Sequence, residues 1–150
     1  MKCIIDIHAA PGSQNGKETS SSRDGSAYWA TSQKYISQTL DVIDFLASRY
    51  AKNPALLGIS FLNNPNASLI PLDVLVSYYS KGYQIVRNYS STAYVIITQR
   101  IGNTDPKELI RANISSTNLV LEIHFDSDNL RPTQVLLTIS MLCKNTNERN

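Results

Sequence analysis

Apolar and polar positions along this chain fall into two alternating rhythms. Short runs of β-branched and aliphatic residues at Cys3–His8, Leu57–Leu62, Ala93–Thr98 and Asn118–Phe125 predict strands. Longer stretches between them carry apolar residues every three or four positions. Ile36, Leu40, Ile43, Ala47 and Tyr50 form one face of a helix expected over Gln33–Tyr50, which Asn53-Pro54 breaks. Pro71, at a favourable first-turn position, opens a second helix with Leu72, Leu75, Tyr79, Tyr83 and Val86 on one side. Pro106 leads a short helical piece through Leu109 and Ile110, and Ala9–Ser26 is a polar loop rich in glycine. Strand and helix alternating at this rhythm imply βαβ units and a parallel sheet.

The chain is organised around Leu56–Pro65, where an apolar strand runs into Asn63-Asn64 and stops at Pro65. Asn and Pro are ordinary turn residues, yet polar side chains at the C-terminal end of a buried parallel strand are where barrel enzymes keep their chemistry. Period-two alternation puts Ile4, Asp6 and His8 on one face of the first strand, and Glu122 and His124 on one face of the fourth. If the sheet curls into a barrel, these residues point inward beside Asn63 and Asn64. Satisfied structural histidines and a functional site both remain open on this reading. Two histidines without a neighbouring carboxylate trio give poor support for a metal centre, so no metal is expected.

Composition narrows the class of function. The 150 residues suffice for one domain with a sizeable core, and 42% hydrophobic with 17% charged is the balance of a globular protein. A net charge of +2, with no basic stripe and interleaved aromatics, gives no argument for nucleic acid. No apolar run approaches a membrane span, and the first residues do not have the pattern of a signal peptide. The two cysteines, Cys3 in a strand and Cys143 in a polar tail, match no metal spacing and are expected as free thiols. Asn66-Ala-Ser68, Asn88-Tyr-Ser90 and Asn113-Ile-Ser115 are glycosylation sequons, a hint of a secreted ancestor.

Ile5-Asp-Ile-His-Ala-Ala-Pro-Gly-Ser-Gln-Asn-Gly16 resembles the third-strand signature of the exo-β-1,3-glucanases (glucan 1,3-β-glucosidases) of glycoside hydrolase family 5. Ser20–Ser26 and Val42–Lys52 resemble the plant-type members, and Leu62–Pro65 is similar to their fourth-strand Leu-Asn-x-Pro. The likeness covers about residues 3 to 125. It implies a TIM (β/α)8 barrel that hydrolyses β-glucans with retention, of which this chain holds the third to sixth strands. On that basis residues 1–125 are a partial catalytic domain, and residues 126–150 are a divergent tail with one more apolar run, Val135–Leu142. A whole TIM barrel takes about 250 residues, so a truncated gene product is expected, with a genuine short half-barrel as the alternative.

The resemblance also implies roles. His8 matches a histidine lining the sugar subsite at the cleavage point, Asn63 the asparagine that binds the 2-hydroxyl, and His124 the histidine ending the sixth strand. A family tyrosine two residues further on is Asp126 here. Asn64 stands where the family has its acid/base glutamate. Glu18, Glu108, Glu122 and Glu148 do not match the position of the seventh-strand nucleophile. The expected ligand is therefore a β-glucan or oligosaccharide, with no cofactor, no nucleic acid and no membrane. Whether this chain is an enzyme is left open by these departures. Loss of hydrolysis is expected, and a non-catalytic glucan binder using His8, Asn63 and Trp29 as a platform, or a fragment without function, are the alternatives. The family is secreted or cell-wall bound. Strands Cys3–His8 and Asn118–Phe125, if left as unpaired edges, would favour self-association.

Overall fold

The computed structural model describes residues 1–102, 104–105, 107–112, 117–124 and the backbone of 139–143. Strand β1 is Cys3–Asp6, helix α1 Gln33–Tyr50, β2 Leu56–Ser60, α2 Leu72–Tyr89, β3 Tyr94–Thr98, α3 Glu108–Arg111, β4 Leu119–Ile123 and β5 Ile139–Cys143. They form one sheet in the order β1-β2-β3-β4-β5. The first four strands are parallel, as the alternation implied, while β5 runs antiparallel to β4. This is an α/β fold with part of a barrel wall. β4 is therefore no unpaired edge: Leu121 faces Met141 across the ladder and its outer backbone groups are taken up by β5. Cys143 ends that strand, where a polar tail was expected, and Cys3 is a free, exposed thiol.

Strands β1 to β4 divide their side chains between two faces. Ile59, Phe61, Val95, Ile97, Leu119, Leu121 and Ile123 point into one buried core with the helices. Helix α1 contributes Ile36, Thr39, Ile43 and Ala47, and α2 contributes Leu75, Tyr78, Tyr79, Gly82 and Val86. The buried stripes thus sit slightly off the expected ones. Tyr50 stays exposed at the end of α1, where the Arg49 guanidinium lies 5.9 Å from its ring centroid. Pro71 precedes the first helical residue of α2 and has extended backbone, so it acts as the N-cap. No described helix is long and apolar enough to cross a membrane.

Two buried tyrosines fix the heights of the strand ends. The Tyr78 hydroxyl donates to Phe61 O at 2.8 Å, and the Tyr79 hydroxyl donates to Thr98 O at 2.7 Å. Burial raises both phenols above their ordinary pKa, so they stay protonated donors. An aromatic hydroxyl in a core needs such a partner, and these carbonyls lie where β2 and β3 emerge toward the site.

Candidate functional site

The other face of the sheet is open. Ile4, Asp6, His8, Ser60, Ile96, Val120, Glu122 and His124 line a hollow of about 600 Å³ on it, with Asn63 at the same end as the histidines. Its floor toward the strand N-termini is apolar, with Leu57, Tyr94, Ile96 and Val120. Its C-terminal end is polar. An apolar surface with a few convergent polar groups is the usual make-up of a small-molecule site.

Two histidine–carboxylate pairs stand at that polar end. His8 Nδ1 lies 2.7 Å from Asp6 Oδ2, and a carboxylate only accepts, so Nδ1 carries a proton. Asn63 Nδ2 then donates across 3.4 Å to the lone pair of His8 Nε2. His124 Nε2 lies 3.2 Å from Glu122 Oε1, and its Nδ1 lies 2.6 Å from Asn64 Oδ1. With the Asn64 carbonyl in that place the His124 ring donates from both nitrogens; with the amide turned, Asn64 donates to Nδ1. Glu122 also accepts from Thr98 Oγ1 at 3.3 Å and Ser60 Oγ at 3.5 Å. The His124 hydrogen bond is the main reason its carboxyl titrates below the ordinary range, against the opposing effect of burial.

The loops hold this arrangement from outside. Phe61 N–H still donates to Ile96 O at 3.0 Å and Asn63 N–H to Ile7 O at 3.2 Å, so the ladder carries β2 up to Asn63. Gln14, fully buried, donates to His8 O and Asn63 O, both at 2.8 Å, and thereby ties the two strand ends together. Asn15 Nδ2 donates to Asn64 O at 3.1 Å. Asn64 itself has a left-handed backbone, φ 48°, a conformation that Asn tolerates better than most residues. Below the loop, Arg100 grips Glu108 through two hydrogen bonds of 2.8 and 2.7 Å and donates to Ile70 O.

The structure therefore brings His8, Asn63, Asn64 and His124 together from the ends of β1, β2 and β4, with His8 and Asn63 55 positions apart and Asn64 and His124 60 apart. Asp126 lies outside the described residues. Trp29 is not a platform: it is fully buried, packs edge-on against Tyr78 with centroids 4.9 Å apart, and donates from Nε1 to Thr39 Oγ1. A lone Trp in a polar loop reads as exposed until α1 is folded over it. Sequence reasoning passed over Ser60, Thr98, Gln14 and Asn15. Ser60 and Thr98 end strands of otherwise apolar residues, and that is the signal by which they could have been found.

A model of the cellulase family, glycosyl hydrolase family 5, matches residues 1–134. The chain belongs to glycosyl hydrolase family 5. Among relatives of this family 5 chain is a glucan 1,3-beta-glucosidase of Pichia angusta, 39% identical over 99 residues, which are 64% of this chain and 22% of that protein. Glucan 1,3-beta-glucosidase 1 of Schizosaccharomyces pombe is 31% identical over 140 residues, 89% of this chain and 34% of that one. The family 5 chain thus spans only about a fifth to a third of the length of these relatives. A β-glucanase from Saccharophagus degradans shares the fold with a TM-score of 0.63 at 15% identity, covering 88% of this chain and 38% of the other.

Proposed function

We propose that this family 5 chain is a β-1,3-glucan glycosidase by descent that keeps its sugar contacts and has lost hydrolysis at Asn64. The observation that carries the reading is the place of the Asn64 side chain. It sits beside Asn63 at the end of β2, 2.6 Å from His124 Nδ1, where the resemblance expects a glutamate. A retaining glycosidase needs one carboxylic acid to protonate the leaving oxygen and a second carboxylate to attack the sugar. A carboxamide fills the space of the acid and holds its hydrogen bond, but has no proton to transfer near neutral pH. Losing a general acid costs about 10²- to 10⁴-fold in rate.

His8, Asn63 and His124 are the residues we assign to the sugar. The Asn63 amide nitrogen is engaged with His8 Nε2, which leaves its carbonyl oxygen as the acceptor we assign to a ligand hydroxyl. The apolar floor suits the flat C–H face of a pyranose. The relatives named above are fungal, and the plant-type likeness rests on the loop residues Ser20–Ser26 and on Val42–Lys52 at the C-terminal end of α1. A glucan ligand and the sequons agree with a secreted or cell-wall setting.

The test compares Asn64 with Asn64→Glu in a barrel completed with the remaining strands of an active family member. With Asn64, slow turnover of aryl glucosides carrying an acidic phenol is expected and almost none of natural glucan, because only the alkoxide leaving group demands a proton. Asn64→Glu should then raise glucan hydrolysis by about 10²-fold or more. Equal glucan cleavage by the two barrels would overturn the assignment of Asn64.

A further inference from the structure

We propose that Asn66 is an N-glycosylation site, taking an oligosaccharide from a lipid-pyrophosphate-linked donor. Asn66 begins one of the chain's sequons, immediately after Pro65 and two residues from Asn64. Its Oδ1 accepts two hydrogen bonds from the third sequon residue, from Ser68 N at 2.9 Å and from Ser68 Oγ at 2.8 Å. Among the described residues nothing accepts from its Nδ2. Asn66 is half-buried, and Ser68 and the neighbouring Leu69 are exposed.

This hydrogen-bond pattern matches the chemistry of transfer. An amide nitrogen is a poor nucleophile because its lone pair is delocalised into the carbonyl. Donors on Oδ1 stabilise the imidate-like form in which the nitrogen has given up a proton, and that form attacks. In the step, the Nδ2–C1 bond to the sugar forms and the C1–O bond to pyrophosphate breaks. The lipid pyrophosphate leaves with the electron pair, and the amide proton passes to a base of the transferase.

The turn is also local. Both bonds join residues two apart, the side-chain-to-backbone pattern that Asn supports without tertiary structure, so it is available to the chain as it emerges. Asn88 differs. It is exposed, but it lies in the last turn of α2, and the hydroxyl of its Ser90 accepts from Thr92 N and Ala93 N at 3.2 and 3.0 Å. That serine serves the helix end and leaves Asn88 Oδ1 without its donors. Asn113 lies outside the described residues. The pattern selects Asn66 over Asn88. A glycan there is anchored on a firm base, since Asn66 N donates to Gln14 O, Ala67 N to Ile101 O and Ile101 N to Pro65 O. It would stand where three loops meet beside Asn64, and cover the exposed Leu69.

The test expresses the full chain behind a cleavable secretory leader in a eukaryotic host, with a control sequon on a C-terminal tag. Total cell protein is analysed, because transfer precedes folding and a chain that fails to leave the cell is still informative. Release with a peptide amidase in water enriched in heavy oxygen marks each occupied asparagine as a labelled aspartate. Label at position 66 is expected, with its loss in Asn66→Gln and Ser68→Ala, retention in Ser68→Thr, and no change at position 66 in Asn88→Gln. The proposal is overturned if position 66 stays unlabelled in chains whose leader is cleaved and whose control sequon is filled. Preferential labelling of Asn88, or occupancy of Asn66 surviving Ser68→Ala, would overturn it equally.

Discussion

Replacing Glu122 by Gln keeps the size of the side chain and an acceptor oxygen while removing the charge that gathers three strands at the site. In the native protein that carboxylate accepts from His124 at 3.2 Å, Thr98 at 3.3 Å and Ser60 at 3.5 Å. Hydrogen bonds to a charged group are worth about 1.5–3 kcal/mol when well made. These are longer than the 2.7–2.9 Å of the strongest charge-assisted pairs. The Glu122 side chain is also 25% exposed, so water screens part of the interaction. A loss of about 1 kcal/mol near neutral pH follows. Its pH dependence is the sharper test. Hydrogen bonding to His124 depresses the carboxyl pKa in the folded state, so the stabilisation is present above the ordinary value of 4.5 and fades as the pH falls through the lower folded value. Below that point native Glu122 is itself neutral and resembles the variant. Urea unfolding of both proteins should therefore show a gap near neutral pH that closes in acid. A gap of equal size at neutral and acid pH would refute the role given to Glu122.

Gly82→Ala tests the packing of α2: alanine gains about 1 kcal/mol of helix propensity, but its Cβ would lie 2.7 Å from Phe61 Cε2 and 3.0 Å from Ile43 Cδ1. Both neighbours are fully buried, so an overpacking cost of about 1–3 kcal/mol wins, and thermal denaturation should show a net loss of about 1 kcal/mol. Glu108→Ala strips the Arg100 guanidinium of its bidentate partner in a pair only 11–12% exposed. A stability loss of about 3 kcal/mol in chemical denaturation is expected, the low end for breaking a buried pair, and Glu108→Gln should recover part of it.

The two periodicities of the sequence determined the elements, because period-two and period-3.6 patterns are properties of neighbouring residues. Helix α1 forms over Gln33–Tyr50 as the spacing required, and the parallel β1–β4 order follows from alternating strands and helices. That Asp6, His8, Glu122 and His124 share one side of the sheet was legible for the same reason. Which partner each takes was not. His124 bonds to Asn64 and Glu122, and His8 to Asp6 and Asn63, because the register Thr98↔Glu122 and Asp6↔Ser60 aligns those strand ends. Register is set by the packing of whole strands on α1 and α2. The same holds for Trp29, whose burial depends on α1 closing over it, and for β4, whose edge is filled by the antiparallel pairing of β5, the next strand along the chain. Polar loop residues such as Gln14 carry no periodicity at all, so only the folded chain shows that this one side chain ties His8 to Asn63.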